Sequence, residues 1–149
     1  MTLYFDKETC GIRPEIDHLI ATYWQEENKG HVPLRMDWEL YKTLEKNQIL
    51  YIYTARSVRD TLVGVVMYNV VMHPHHMGHR VAECDILSVS LQDRGQGVGR
   101  KLLSYAEDKL KTLGVSEIVH RFKLPYTATP LFISQGYNAI ETVYSKKVA

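Results

Sequence analysis

Residues 80–114, RVAECDILSVSLQDRGQGVGRKLLSYAEDKLKTLG, decide how this chain folds. The first part, Arg80 to Ser90, mixes β-branched and apolar side chains over a strand's length. The last part sets Val98, Leu102, Ala106, Leu110 and Leu113 on one face of a long helix, spaces Glu107 and Lys111 for an i, i+4 pair, and puts Gly114 where a helix ends. Gly95, Gly97 and Gly99 lie between them. A strand thus runs through a glycine-rich turn into a helix. Such a turn presents unpaired backbone N–H groups at the positive end of the helix dipole, a geometry that suits phosphate.

The flanking sequence fills out an α/β pattern. Upstream, Pro14 suits a first helical turn, and Ile16, Leu19, Ile20 and Tyr23 follow at i, i+3, i+4 and i+7 before Gly30. Asp37 can cap a second helix, in which Trp38, Tyr41 and Leu44 recur up to Asn47. ILYIYTAR from Ile49, a polar SVRD break and TLVGVVMYNVVM read as two strands of a hairpin. Downstream, SEIVHRF reads as a strand, Thr129-Pro130 opens a short helix ending at Gly136, and YNAIETVYSKKV reads as a closing strand. Helices on the faces of a mixed, mostly antiparallel sheet are expected. The aromatic residues Trp24, Trp38, Tyr41, Tyr51 and Tyr53 fall at helix and strand spacings that assign them to packing.

Composition narrows the class. The chain has 149 residues, 45% hydrophobic and 23% charged, as expected for one domain over residues 1–149. A domain of this size buries about 70% of its unfolded surface and needs no staple. Eighteen Lys and Arg against seventeen Asp and Glu leave a charge of +1, without the basic surplus of a dedicated nucleic-acid binder. Cys10 and Cys84 form no CxxC pair, so a reduced, cytoplasmic setting is expected. No apolar run reaches the length of a membrane span, and MTLYFDKETCG lacks a signal-peptide pattern.

Several phosphate motifs compete for the turn. A Walker A loop fails, because Gly99 is followed by Arg100, Lys101 and Leu102. A Rossmann GxGxxG fits at Gly95 and Gly97 but has Arg100 in its sixth place, and the turn follows the third strand instead of opening the chain. A plain tight connection has no need of all three glycines. Arg94-Gly95-Gln96-Gly97-Val98-Gly99 instead matches [QR]xxGx[GA], with Leu87 and Val89 spaced as an LxV strand before it. On these residues the chain resembles the GNAT superfamily of N-acetyltransferases, from about Asp37 to Lys147, and includes the Gly136-Tyr137 dipeptide in the family's order. The DWELYKTLEKNQILYIYTAR stretch and the HPHH loop look most like the small GNAT proteins of bacteriophages and prophages.

The resemblance implies a GNAT fold, in which the signature strand splays from the next and the pantetheine arm of acetyl-CoA lies in the gap. Leu87, Ser88 and Val89 would hold that arm through main chain, and Arg94, Gly95, Gln96, Gly97, Val98, Gly99 and Arg100 would hold the pyrophosphate. The implied activity is direct transfer of acetyl from the thioester to an amine. Such transfer needs an unprotonated nitrogen, a donor for the developing oxyanion and a proton for the thiolate. Alternation puts Glu83 and Asp85 on one face with Leu87 and Val89. Burial there would raise their proton affinity toward that of a base, while the competing reading is an ion pair with Arg80 or Arg121. The family's tyrosine, four residues before the glycine of the GY pair, is Phe132 here. Pro125 stands for the pattern's asparagine, while Ala128 and Leu131 match. Tyr126 is the first candidate to replace the missing acid, with His120, Tyr137 and water as others.

His73, His75, His76 and His79 crowd one loop kept irregular by Pro74 and Gly78. Adjacent His75 and His76 lack helical i, i+4 presentation and no thiol or carboxylate pair completes a set, so no metal is expected. The loop, through His73, His75 and His76, is instead expected to contact substrate, with a solvated loop as the bland alternative. The expected function is an acetyl-CoA-dependent N-acyltransferase acting on a small amine, a protein amine or an aminated nucleobase. The competing classes are a non-catalytic acyl-CoA-binding module or phage structural or host-interaction protein, and an NAD-binding domain. The pattern is also compatible with edge-strand pairing into a homodimer.

Overall fold

A computed structural model describes residues 1–28, 34–122 and 129–149; the Tyr23 side chain and all of Tyr126 lie outside the described residues. In chain order the elements are β1 (Leu3–Glu8), α1 (Arg13–Asn28), α2 (Trp38–Lys46), β2 (Leu50–Ser57), β3 (Leu62–Met72), β4 (Arg80–Val89), α3 (Val98–Thr112), β5 (Val115–Val119) and α4 (Thr129–Ser134). The sheet runs β1-β2-β3-β4-β5, antiparallel except for the parallel β4–β5 pair. This is the mixed, mostly antiparallel α/β arrangement expected from the sequence.

The helices form where their signals lie. Asp37 caps α2 by accepting from the Leu40 amide at 3.0 Å, and Asn47 closes it. Ile16, Leu19 and Ile20 of α1 are buried with Trp38, Leu50, Ile52, Val65, Met67 and Ile86, which makes one core layer between α1, α2 and the sheet. On the other face Val98, Leu102, Leu103, Ala106 and Leu110 of α3 pack with Tyr53, Ala55, Val66, Tyr68, Ala82 and Phe132. Tyr53 and Trp38 are core residues and Tyr51 packs, partly buried, against the core, in keeping with their spacing. Glu107 accepts from the Tyr137 hydroxyl at 2.8 Å, whereas the spacing suggested a partner at Lys111.

The two chain ends depart from the sequence reading. Leu3–Glu8 is a strand, made by six residues that pair with β2 from Leu3↔Ser57 to Glu8↔Ile52. Its charged side chains hide it, yet Glu8 is bound: its carboxylate accepts from the Thr54 hydroxyl and from Arg56 Nε, the latter at 3.0 Å. Arg56 also reaches Glu15 on α1 at 2.8 Å, which ties three elements together. Conversely, YNAIETVYSKKV is not a strand: residues 137–149 carry no regular secondary structure. Strand propensity yields a strand only where a ladder partner exists, and this segment has none among the described residues. The strand expected over Ser116 to Phe122 ends at Val119.

Gly64 of β3 sets how closely α3 lies on the sheet. A Cβ there would meet Leu102 Cδ2 and Val98 Cγ1, both at 3.3 Å. Because Val98 opens α3, this contact also places the helix's N-terminal end. Replacement Gly64→Val overpacks that contact and is expected to cost about 1–3 kcal/mol of stability. Urea denaturation checks it, and an unchanged midpoint would show that α3 is free to shift away.

Candidate active site

β4 is the floor of the candidate site. Along one edge it pairs with β3 over nearly its full length, from Met72↔Arg80 to Gly64↔Val89. Along the other it pairs with β5 only from Arg80↔Val115 to Glu83↔Val119. Past Glu83 that edge carries no ladder among the described residues, so Leu87, Ser88 and Val89 border an opening on the β5 side of β4. The Ser88 hydroxyl is buried and donates to the Leu19 carbonyl at 3.1 Å. Ser90 N donates to the Val63 carbonyl, so by alternation Ser88 turns its main chain toward β3, and the main chain of Leu87 and Val89 faces the opening.

The opening runs into the glycine turn. Gly95 and Gly97 take φ of +78° and +79°, backbone that favours glycine, and Gly97 caps α3 with no side-chain hydrogen bond. Helix geometry leaves the first-turn amides of α3 without intrahelical acceptors. Nothing lies within 4 Å of a Cβ built on Gly95, so the turn is open above that position. Gly99 has no positive φ, and a Cβ there would make ordinary contacts at 3.7 Å with Val89 and Leu131. The turn is held from below: buried Asp93 accepts from the Ser90 hydroxyl, and Arg94 Nε donates to the Val89 carbonyl at 3.0 Å. Gln96 reaches back to the Gln92 carbonyl at 3.4 Å, and Arg100 is exposed on α3.

Simple alternation fails in the middle of β4. Met67 pairs with Ile86 but Tyr68 with Cys84, so Asp85 is the extra residue of a β-bulge. Ala82, Cys84, Leu87 and Val89 therefore pack on the α3 side, while Ile86 packs on the α1 and α2 side. Asp85 also faces α2, where its Oδ2 accepts from the Tyr41 hydroxyl at 2.6 Å. Glu83, which alternates with Ala82 and Cys84, has Arg121 Nη1 at 3.9 Å. The two acids thus share a face with each other, as expected, but not with Leu87 and Val89. Arg80 bonds instead to the Leu113 carbonyl at 2.7 Å.

Beneath the opening, on the α3 side, lies an aromatic cluster. His120 comes directly after β5, and its Nε2 is 3.0 Å from the Tyr68 hydroxyl. Burial pushes its imidazole down to about 4, so the ring is neutral at neutral pH. Nδ1 is buried and has no hydrogen-bond partner among the described residues. The ring lies 4.6 Å from Phe132 and 5.4 Å from Tyr137. Burial, then the hydrogen bond to Glu107, raises the Tyr137 phenol and keeps it protonated. Periodicity cannot reveal the Tyr68–His120 and Tyr41–Asp85 pairs, because each joins residues more than forty positions apart.

The histidine loop closes the β3–β4 hairpin at the far end of β4, about 30 Å of strand from the glycine turn. The His73 ring is 5.3 Å from His75 and 4.7 Å from His76, and His79 Nδ1 lies 3.0 Å from the Ser116 hydroxyl. Among the described residues no three His, Cys, Asp or Glu side chains are arranged to hold a metal, and no helix is long and apolar enough to cross a membrane.

The fold has many likenesses among solved structures. It is similar to a ribosomal-protein-alanine N-acetyltransferase from Brucella melitensis biovar Abortus, with 21% identity, a TM-score of 0.76, and coverage of 99% of this chain and 100% of that one. It is also similar to a glucosamine-6-phosphate N-acetyltransferase from Arabidopsis thaliana, with 11% identity, a TM-score of 0.77 and 100% of each chain covered. An aminoglycoside acetyltransferase from an uncultured soil metagenomic sample, solved with sisomicin, shares 16% identity at a TM-score of 0.72 over 97% of each chain. Comparison with curated proteins gives no match. The model of the acetyltransferase (GNAT) family matches residues 13–136, which include every element from α1 to α4. By this match, over elements that include the short β4–β5 ladder and the left-handed glycine turn, the chain belongs to the GNAT acetyltransferase family and is an N-acetyltransferase.

Proposed function

We propose that the chain, acting as one domain over residues 1–149, binds acetyl-CoA along β4 and transfers its acetyl group directly to an amine held on the far side of the opening. The observation that carries this is the end of the β4–β5 ladder at Glu83↔Val119, past which that edge of β4 is unpaired among the described residues and leads into two left-handed glycines at the N-terminus of α3. The amides of Gly95, Gln96, Gly97, Val98 and Gly99 fit a pyrophosphate, with Arg94 and Arg100 as counter-charges. Main-chain groups of Leu87 and Val89, on either side of Ser88, fit the pantetheine amides as a substitute strand would. When bound, acetyl-CoA supplies a thioester whose carbonyl carbon accepts the amine as the C–S bond breaks.

Asp85 and Glu83 take the proton that the amine loses, through water, and Tyr41 orients the Asp85 carboxylate by its 2.6 Å hydrogen bond. Tyr126 supplies the thiolate's proton in this reading, because Phe132 has no hydroxyl to do so; His120, Tyr137 and water are the alternatives. The acceptor is a small-molecule or protein amine. The similar structures named above share an amine-directed acetyl transfer by their descriptions and nothing narrower. The near-neutral charge argues against a nucleic-acid footprint. Thiols at Cys10 and Cys84 fit a reducing bacterial or phage-infected cytoplasm, and the HPHH loop fits a phage or prophage origin.

Three measurements test this reading. Gly97→Val blocks close approach of a phosphate and strains a left-handed position, so calorimetry on the folded variant is expected to show CoA affinity lowered about tenfold or more; unchanged affinity refutes the pyrophosphate site. Alanine in place of Asp85 or Glu83 is expected to lower turnover at neutral pH by roughly 10²- to 10⁴-fold at whichever position is the base, with acetyl-CoA binding intact. Full turnover in both variants removes both acids from the mechanism. Replacing His73, His75 and His76 together by alanine is expected to raise the acceptor KM while CoA affinity and kcat hold. Their distance along β4 confines them to the remote part of an extended acceptor. A variant with wild-type KM, or activity that zinc restores after chelation, would show the loop to have another role.

A further inference from the structure

Two side chains among the described residues hold a buried polar atom without a hydrogen-bond partner: His120, at Nδ1, and Asn69, at Oδ1. A buried acceptor left unmade costs stability, so each marks a place where the free chain is incomplete. His120 lies on the α3 side of the sheet. Asn69 lies on the other face, because its neighbours along β3, Tyr68 and Val70, pack under α3, while Met67 and its β2 partner Leu50 belong to the α1 and α2 layer. On β4 its partner is Glu83. Cross-strand partners put their Cβ atoms about 5 Å apart, so Asn69 stands beside Glu83 and diagonal to Asp85 on one face.

That patch offers two carboxylates and an amide oxygen. Tyr41 uses Oδ2 of Asp85, and Arg121, 3.9 Å from Glu83, is drawn to Glu141 at 3.1 Å. A primary ammonium carries three N–H donors and needs three acceptors once water is excluded. We propose that Asn69 is a specificity-determining residue for the acceptor: its Oδ1 takes one N–H of a primary ammonium whose other two go to the Glu83 and Asp85 carboxylates. The proposal rests on the reading of those two acids as proton acceptors.

Asn69 is half-buried as a residue, and the terminal torsion of an asparagine is soft, so its oxygen can turn to an arriving donor. One proton of the ammonium passes to a carboxylate through water. The two N–H bonds that remain, held at Asn69 and the other carboxylate, fix the direction of the nitrogen lone pair. As the N–C bond forms and the C–S bond breaks, nitrogen loses a second proton and the thiolate gains one, so the product amide keeps a single N–H. A secondary amine has one donor fewer and sets an alkyl group against the Asn69 oxygen.

The test uses butylamine and N-methylbutylamine as acceptors of the full chain, with CoA affinity as the control. The wild type is expected to acetylate butylamine with the higher kcat/KM. Asn69→Leu keeps the size of the side chain and removes its oxygen. It is expected to lower kcat/KM for butylamine about 10- to 100-fold, mainly through KM, and to leave N-methylbutylamine nearly unchanged, so that the preference for the primary amine shrinks to match. Because an unsatisfied buried acceptor is gone, the same variant is expected to unfold at a higher urea midpoint, the reverse of what a purely structural asparagine gives. A variant that keeps the wild-type preference, or that unfolds at a lower midpoint, overturns the proposal. So does a wild-type chain that acetylates the two amines alike, or neither. Full turnover in both the Glu83→Ala and Asp85→Ala variants overturns the reading of the acids and this proposal with it, whereas lost turnover there beside an indifferent Asn69→Leu overturns this proposal alone.

Discussion

β4 is held on both edges for only its first four residues, and the arrangement of the site depends on that inequality. Where β3, β4 and β5 are all in ladder, the sheet is closed and its backbone groups are satisfied. Beyond Glu83 one edge of β4 carries no ladder among the described residues, and it leads straight into the turn that opens α3. A ligand with amide groups in its arm and phosphates at its end meets both requirements along one line. Gly64 fixes the end of that line, because its missing side chain lets Val98 and Leu102 sit against β3.

The bulge at Asp85 sorts the chemistry to two sides of the sheet. Without the extra residue, the carboxylates would lie on the side of Leu87 and Val89, under α3. With it, Asp85 turns toward Tyr41 and the α1–α2 layer, while Cys84 and Leu87 stay with α3. Asp85 and the side chains of Leu87 and Val89 thereby lie on opposite faces of the strand. The opposite side holds a desolvated histidine and two aromatic rings where the family places a tyrosine. A neutral His120 bonded to Tyr68, with no partner for Nδ1 among the described residues, costs stability unless something uses that nitrogen.

The glycines divide by physical cause. Gly95 and Gly97 are required by left-handed backbone, so a tight connection alone would demand them. Gly99 is not so required, and its absent side chain leaves the surface beside Val89 clear.

Local signals were fully legible: the Asp37 cap, the α3 stripe from Val98 to Leu110, the β2–β3 hairpin and the glycine turn all depend on neighbours a few residues apart. The family likeness and the place of the cofactor turn rest on those. What sequence alone left open involves partners far along the chain. β1 exists because β2 pairs with it along six residues, and residues 137–149 form no strand because no ladder partner meets them among the described residues. Asp85 faces Tyr41 because β3 is one residue short opposite it, a mismatch that only pairing creates. Side-chain direction in a strand obeys alternation until a ladder slips, and only tertiary structure decides where that happens.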